Sequence, residues 1–333
     1  MNEEKPEGSV RAVGTGTSDV WVLDVGGSHA TAASVSLSES SGSVTASDTE
    51  ALDPSLSADA LLDAFAAPAL RLRSASEGDS ARPDRWGVAM PGPFDYESGI
   101  GIFEAVGKFD SLRGVSIRAG LASRLDVDAS RIHFVNDAVA YALGEWAFGS
   151  ATRAERHVCI TLGTGIGSAF LDRGLVVDEG SEVPPNGWAY LLESDGQPLE
   201  DVVSTRAIMR RFSQRTGRVQ TVKEIAEAAR IGDPDASAVL DQAMFALGAT
   251  LAPWLTSFAA TRLTVGGSMV RSWPVLVRGL TDGLVHGGVP TDLEVLPSAL
   301  LDAAPVLGAA FWLNSHEPSP NSQSPNSLRS DHR

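Results

Sequence analysis

Twice in this chain an apolar run halts at a glycine turn and resumes as a second extended run, and this repeat constrains the fold more than any other feature. The first copy runs from Val20 to Val25, breaks at Gly26-Gly27-Ser28 and continues by alternation from His29 to Leu37. The second runs from His157 to Leu162, breaks at Gly163 to Gly167 and resumes from Ser168 to Leu171. Apolar runs bounded by glycine mark strands and hairpins, so each copy opens as a hairpin rather than as a strand-helix-strand unit. A duplicated α/β unit predicts two similar lobes facing one cleft, and 333 residues leave room for both at roughly 150 residues each.

Between the copies, Ser43 to Ala51 reads as a third strand, Leu56 to Leu72 as a helix, and Trp86 to Met90 as a strand ending at Pro91-Gly92-Pro93. Tyr96 to Gly99 reads as a turn, Ile100 to Val106 as extended chain, Val115 to Leu125 as a helix and Arg131 to Val135 as a buried strand. From Ala138 the residues Val139, Ala140, Leu143, Trp146 and Ala147 recur at helical spacing. After the second copy, Val176 to Pro198 is irregular, and helices are predicted over Leu199 to Thr216, Val222 to Arg230, Asp235 to Thr261, Pro274 to Leu284 and Ala299 to Leu313. A last strand, Arg262 to Val265, enters Gly266-Gly267-Ser268. Met1 to Ser18 and Asn314 to Arg333 read as disordered tails.

The formal net charge is -16 with no Lys/Arg cluster, so general electrostatics disfavour nucleic acid, and any phosphate must be held by backbone amides and a metal ion. The single cysteine, Cys159, excludes a disulfide framework and a cysteine zinc site. No signal-peptide pattern opens the chain and no apolar stretch approaches the ~20 residues of a membrane span, which predicts a cytoplasmic protein without a membrane partner.

Phe134-Val135-Asn136-Asp137-Ala138 places a carboxamide and a carboxylate at a strand's carboxyl end, where open α/β sheets bind ligands. An Asp here also suits a plain helix N-cap. Asp24-Val25-Gly26-Gly27-Ser28 sets a carboxylate before two glycines, a pattern that brings backbone amides to an anion while the Asp holds hydrated Mg²⁺; taken by itself it more often marks a simple Gly-Gly hairpin. Gly163, Thr164 and Gly165 repeat the offer, and Gly266-Gly267 makes it a third time. The second turn is no dinucleotide fingerprint, since a strand rather than a helix follows. His29, His133 and His157 share no metal spacing and read as structural, and Lys108 and Arg113 read as solvated charge.

In this order, the three strand-end turns and the Asp at a fourth strand end resemble the actin, hexokinase and heat-shock chaperone ATPase superfamily, a two-lobed α/β, ribonuclease H-like fold with duplicated lobes around a central cleft. Within it, DVGGS, Met90-Pro91-Gly92-Pro93-Phe94-Asp95, Phe134 to Ala138, LGTGIG, VGGS and Gly196-Gln197-Pro198-Leu199-Glu200 resemble the ROK (repressor, open reading frame, kinase) sugar kinases. The resemblance covers nearly everything from Val20 to Leu313. Its implied domains are 19–137 and 138–297 as lobes, with 298–313 as a helix packing back on the first.

The resemblance implies ATP-dependent phosphorylation of a hexose or hexose derivative, with Asp137 as catalytic base and Gly92, Asn136, Asp137 and Glu200 around the sugar. It places ATP at Asp24, Gly26, Gly27, Ser28, Gly163, Thr164, Gly165, Gly266 and Gly267, with Mg²⁺ on Asp24 through water. The family's E-x-G-H motif and zinc-binding cysteines are replaced near Gly187 and Tyr190, so no zinc site is expected and the sugar is not specified. The repressor branch's DNA-binding helices have no counterpart before Val20, which favours the kinase branch. Family members are commonly dimers, so a homodimer is an expectation of the resemblance alone. A non-catalytic sugar sensor and a polyphosphate-dependent kinase are the competing readings; the acidic balance disfavours the second, and an intact Asp24 and Asp137 disfavour the first.

Overall fold

The computed structural model describes residues 18–75, 85–103 and 108–316. Most of both expected tails, and the end of the extended stretch at 104–106, lie outside the described residues, although Ser18 belongs to a strand and Asn314 and Ser315 to a helix. The chain opens with β1 (Ser18–Val25), β2 (His29–Leu37) and β3 (Gly42–Ala51). Helix α1 (Ala58–Ala75) leads to β4 (Trp86–Met90), the short pair β5 (Phe94–Asp95) and β6 (Ile100–Gly101), α2 (Ile117–Leu125) and β7 (Ile132–Asn136). Helix α3 (Asp137–Phe148) carries the chain to β8 (Arg156–Leu162), β9 (Ile166–Asp172) and β10 (Leu175–Val176). A small hairpin of β11 (Glu193–Ser194) and β12 (Gln197–Pro198) precedes α4 (Glu200–Val203), α5 (Thr205–Thr216), α6 (Val222–Arg230) and α7 (Pro234–Ser257). β13 (Arg262–Gly266), α8 (Trp273–His286), β14 (Glu294–Pro297) and α9 (Ala304–Ser315) complete the described chain.

Two five-stranded sheets result, ordered β3-β2-β1-β4-β7 and β10-β9-β8-β13-β14. In each, the first three strands pair antiparallel and the last three parallel. The two sheets therefore repeat one topology in one chain order, as the repeated hairpin predicts. β4 is buried along its whole length, which is why Trp86 to Met90 reads as continuously apolar.

Helices α3 and α9 follow the outer parallel strand of each sheet and pack on one another. Their backbones nearly touch: a methyl group on Gly144 would strike the Ala304 carbonyl, and one on Gly308 the Ala140 carbonyl. α9 covers the first sheet, where Val306, Leu307 and Ala310 share a core with Val20, Val22, Ala33 and Val35. α3 covers the second, where Tyr141, Leu143 and Trp146 pack with Cys159, Ala169 and Leu171.

Several expectations need correction. The helix expected over Leu199 to Thr216 is two helices, because Ser204 leaves the helical conformation and its hydroxyl caps α5 by accepting from Ala207 N. β14 lies where the sequence predicts no element. The C-terminal helix starts at Ala304, after a single turn at Leu301–Ala303, rather than at Ala299. Contrary to the reading that no stretch approaches a membrane span, α7 is long and apolar enough to cross one by composition. Its buried face, including Val239, Leu240, Met244, Leu247 and Leu251, instead joins the core beside the second sheet.

Candidate active site

Strands β1, β4 and β7 run parallel, with Asp24 beside Ala89 and Met90 beside Asn136, so all three end at one edge. That edge gathers Asp24, Gly92, Asn136 and Asp137. Asp24 keeps partial exposure, yet burial pushes its carboxyl up to about 7, with the charges of Asp137 and Asp302 adding to the shift. Burial also raises the carboxyl of Asp137, opposed by the Lys108 ammonium and by the Ala138 amide, which donates to Oδ1 at 2.8 Å.

The helix cap is Asn136 rather than Asp137. Asn136 Oδ1 accepts from Ala138 N and Val139 N at 3.0 and 3.1 Å, and its Nδ2 donates to Tyr96 Oη at 2.8 Å. Among the described residues this leaves one of its two amide hydrogens for a ligand. Tyr96 in turn donates to Met90 O at 3.0 Å, and a methyl on Gly92 would lie 3.7 Å from its hydroxyl, so Gly92, Tyr96 and Asn136 form one cluster.

Lys108 does not stand in solvent as its sequence context suggested. It is half-buried, and its Cδ would lie 4.0 Å from a methyl on Gly27. The first turn closes through Gly26 N donating to His29 O at 2.9 Å, while Ser28 is exposed and its Oγ lies 3.1 Å from His29 Nδ1. The second turn closes similarly, Gly163 N donating to Gly165 O at 3.0 Å, with Thr164 exposed at its tip. The amides of Gly26 and Gly163 thus close the two hairpins.

Gly163 O accepts from Thr205 N at 2.9 Å, and Glu200 Oε2 accepts from Ile166 N at 3.3 Å. A methyl on Gly165 would come 2.8 Å from that same carboxylate oxygen, so Glu200 lies against the second turn. A methyl on Gly167 would lie 2.9 Å from Ala138 Cβ, and one on Gly163 3.7 Å from Ser268 Oγ. The second turn therefore touches both the start of α3 and the third turn. In that third turn Gly266 rests on the Tyr141 ring, and Gly267, at φ 80°, donates its amide to Tyr141 Oη at 3.3 Å.

The chain has three tyrosines, and all three border this region, a convergence that no local sequence pattern carries. Tyr190 stacks on Trp188 with ring centroids 5.6 Å apart, and the charge of Glu200 adds to burial in raising its phenol. The charges of Asp137 and Asp302 both act on the Asp24 carboxyl. Among the described residues no group of three or more His, Cys, Asp or Glu is placed to hold a metal. One carboxylate completed by water and phosphate is how Mg²⁺ is commonly held, so Asp24 fits that ion. A depression of about 900 Å³ between the β11–β12 hairpin and helices α7 and α8 is lined by Asp241, Phe245 and Arg278 and by none of the candidate residues.

The ROK family's sequence profile matches residues 23–316. The glucokinase of Thermotoga maritima is 29% identical over 250 residues, covering 67% of this chain and 77% of that protein. The xylose repressor of Bacillus subtilis is 23% identical over 242 residues, covering 69% of this chain and 61% of that protein. A ROK family glucokinase from Streptomyces griseus, solved with glucose and AMPPNP, superposes with a TM-score of 0.72 at 22% identity, over 88% of this chain and 98% of that one. That last likeness shows the shared two-lobed, actin-like fold.

Proposed function

This chain belongs to the ROK family, and on that premise we propose that it transfers the terminal phosphoryl group of ATP to a hydroxyl of a hexose or hexose derivative. The observation that carries this reading is the position of Asp137: released from capping by Asn136, raised by burial, and at the same edge as Asp24 and the first glycine turn. A sugar hydroxyl is a poor nucleophile, and phosphoryl transfer depends mainly on positioning and charge neutralisation. Asp137 accepts the hydroxyl proton as general base. Asn136, Gly92 and Glu200 contact the sugar, and Tyr96 holds Asn136 in place. Gly27, Ser28, Thr164 and Gly165 turn amides toward the phosphates, and Gly266 and Gly267 let the nucleoside approach the backbone. Mg²⁺ held through Asp24 supplies neutralising charge at the phosphates, and Lys108 adds to it from beside Gly27. In this reading 19–137 and 138–297 are the lobes and 298–313 the returning helix, supported by the packing of α9 on the first sheet.

A sugar-sensing protein without turnover is the second reading, favoured by Tyr190 standing near the place of the family's E-x-G-H motif and by the similarity to a repressor. Incubating the protein with Mg-ATP and a panel of hexoses and their derivatives, and following ADP release, separates the two. The kinase reading requires one sugar to stimulate ADP formation above an Asp137→Ala control; stimulation by none of them leaves the sensor.

A further inference from the structure

Helix α3 is apolar over most of its surface, yet Asp137, Tyr141 and Glu145 follow one another at four-residue intervals and so share one face. Below Asp137 that face carries a continuous hydrogen-bond chain. Gly267 N donates to Tyr141 Oη at 3.3 Å, Tyr141 Oη donates to Ser298 Oγ at 2.9 Å, and Ser298 Oγ donates to Glu145 Oε1 at 2.5 Å. Every donor points the same way, so each bond polarises the next. Glu145 is fully buried, and its two oxygens also accept from Leu300 N at 2.9 Å, Ser150 N at 2.7 Å and Ala299 N at 3.3 Å. A carboxylate this deep in protein requires such donors, and with them it anchors the far end of the chain. Burial also pushes the Tyr141 phenol upward, so it keeps the proton it donates.

The third turn has little freedom of its own. Gly266 has no room for a β-carbon above the Tyr141 ring, and Gly267 adopts the left-handed φ of 80° with the Leu162 backbone beneath it. We propose that Tyr141 is a positioning residue: its ring and hydroxyl set the third glycine turn for the nucleotide, and Ser298 and Glu145 tie that turn to the helix that begins at Asp137. The inference rests on reading this turn as the nucleoside site.

Tyr141→Phe keeps the ring and removes the hydroxyl. Binding of Mg-AMPPNP, measured by calorimetry, is expected to weaken ~3- to 10-fold, while the KM for the sugar and the melting temperature stay close to those of the parent. Ser298→Ala breaks the chain one step further on and is expected to weaken nucleotide binding less, with no added effect in the Tyr141→Phe background. Unchanged nucleotide affinity in Tyr141→Phe overturns the proposal, as does a parallel loss of sugar affinity and melting temperature, which marks a purely structural residue. A parent protein that binds no nucleotide overturns both this inference and the kinase reading, whereas a parent and a Tyr141→Phe variant that bind equally overturn this inference alone.

Discussion

Strands β7 and β14 occupy the same outer place in their two sheets, and each is followed by a helix that packs against the other, yet their ends differ. β7 stops at Asn136, which caps α3 at once and leaves Asp137 at the rim. β14 stops at Pro297, and Ser298 turns inward to Glu145 and Tyr141 before α9 begins at Ala304. The hairpins differ in the same sense. Two residues before its first glycine the first carries Asp24, while the second carries Thr161. The two halves thus repeat one scaffold while the residues at matching strand ends differ: Asp24 and Asp137 on the first sheet, Thr161 and Ser298 on the second.

The sharpest test of that asymmetry is Asp137→Asn, expected to lower kcat by ~10²- to 10⁴-fold with nucleotide binding retained in calorimetry. Asp302→Asn, at the nearest carboxylate after β14 and in an exposed pair with Arg271, should leave kcat within about twofold. The acidic limb of kcat/KM should lie above the ordinary carboxylate range, with activity lost as pH falls through the raised Asp137 carboxyl. A limb unmoved from the ordinary range would argue against Asp137 as the base.

Next comes the helix crossing that joins the two halves. Gly308→Ala pushes a methyl into the Ala140 carbonyl and should cost about 2–3 kcal/mol of stability in denaturant titration. An alanine tolerated there would mean that the halves are not locked at that crossing.

A smaller effect of opposite sign is expected at Asp24. Its carboxyl is raised from 3.8 to about 7 by folding, so stability is fully present below about pH 4 and is lost as pH rises through about 7. Asp24→Asn should therefore raise apo-protein stability at pH 7.5 by about 1–3 kcal/mol while weakening Mg-ATP binding. The same change at Thr161 of the second hairpin, Thr161→Asn, has no buried charge to remove and should not stabilise. Smallest is Tyr96→Phe, which frees Asn136 from its tether and should raise the KM for the sugar less than ~10-fold, about 1 kcal/mol.

Both hairpins, the three glycine turns and the strand ending before Asp137 were legible because alternation, apolar runs and glycine breaks are written in neighbouring residues. β14 was not, since four residues become a strand only by pairing with β13. The break at Ser204 was missed because apolar spacing continues across it, although a serine opening a new helix was a local clue. The alternative of Asp137 as a plain helix cap is set aside by Asn136, whose Oδ1 caps α3 instead.

Other features were beyond reach of the sequence alone. Tyr96 lies 40 residues from Asn136, and Tyr141 lies 157 from Ser298. The sequence by itself determined where strands stop and which carboxylates stand at their ends, because those choices depend on backbone conformation over a few residues. Only the tertiary structure decided that Lys108 faces Gly27, that Glu200 lies against the second turn, and that three tyrosines converge on the region, because contacts between distant segments form only once the two sheets and their paired helices have packed.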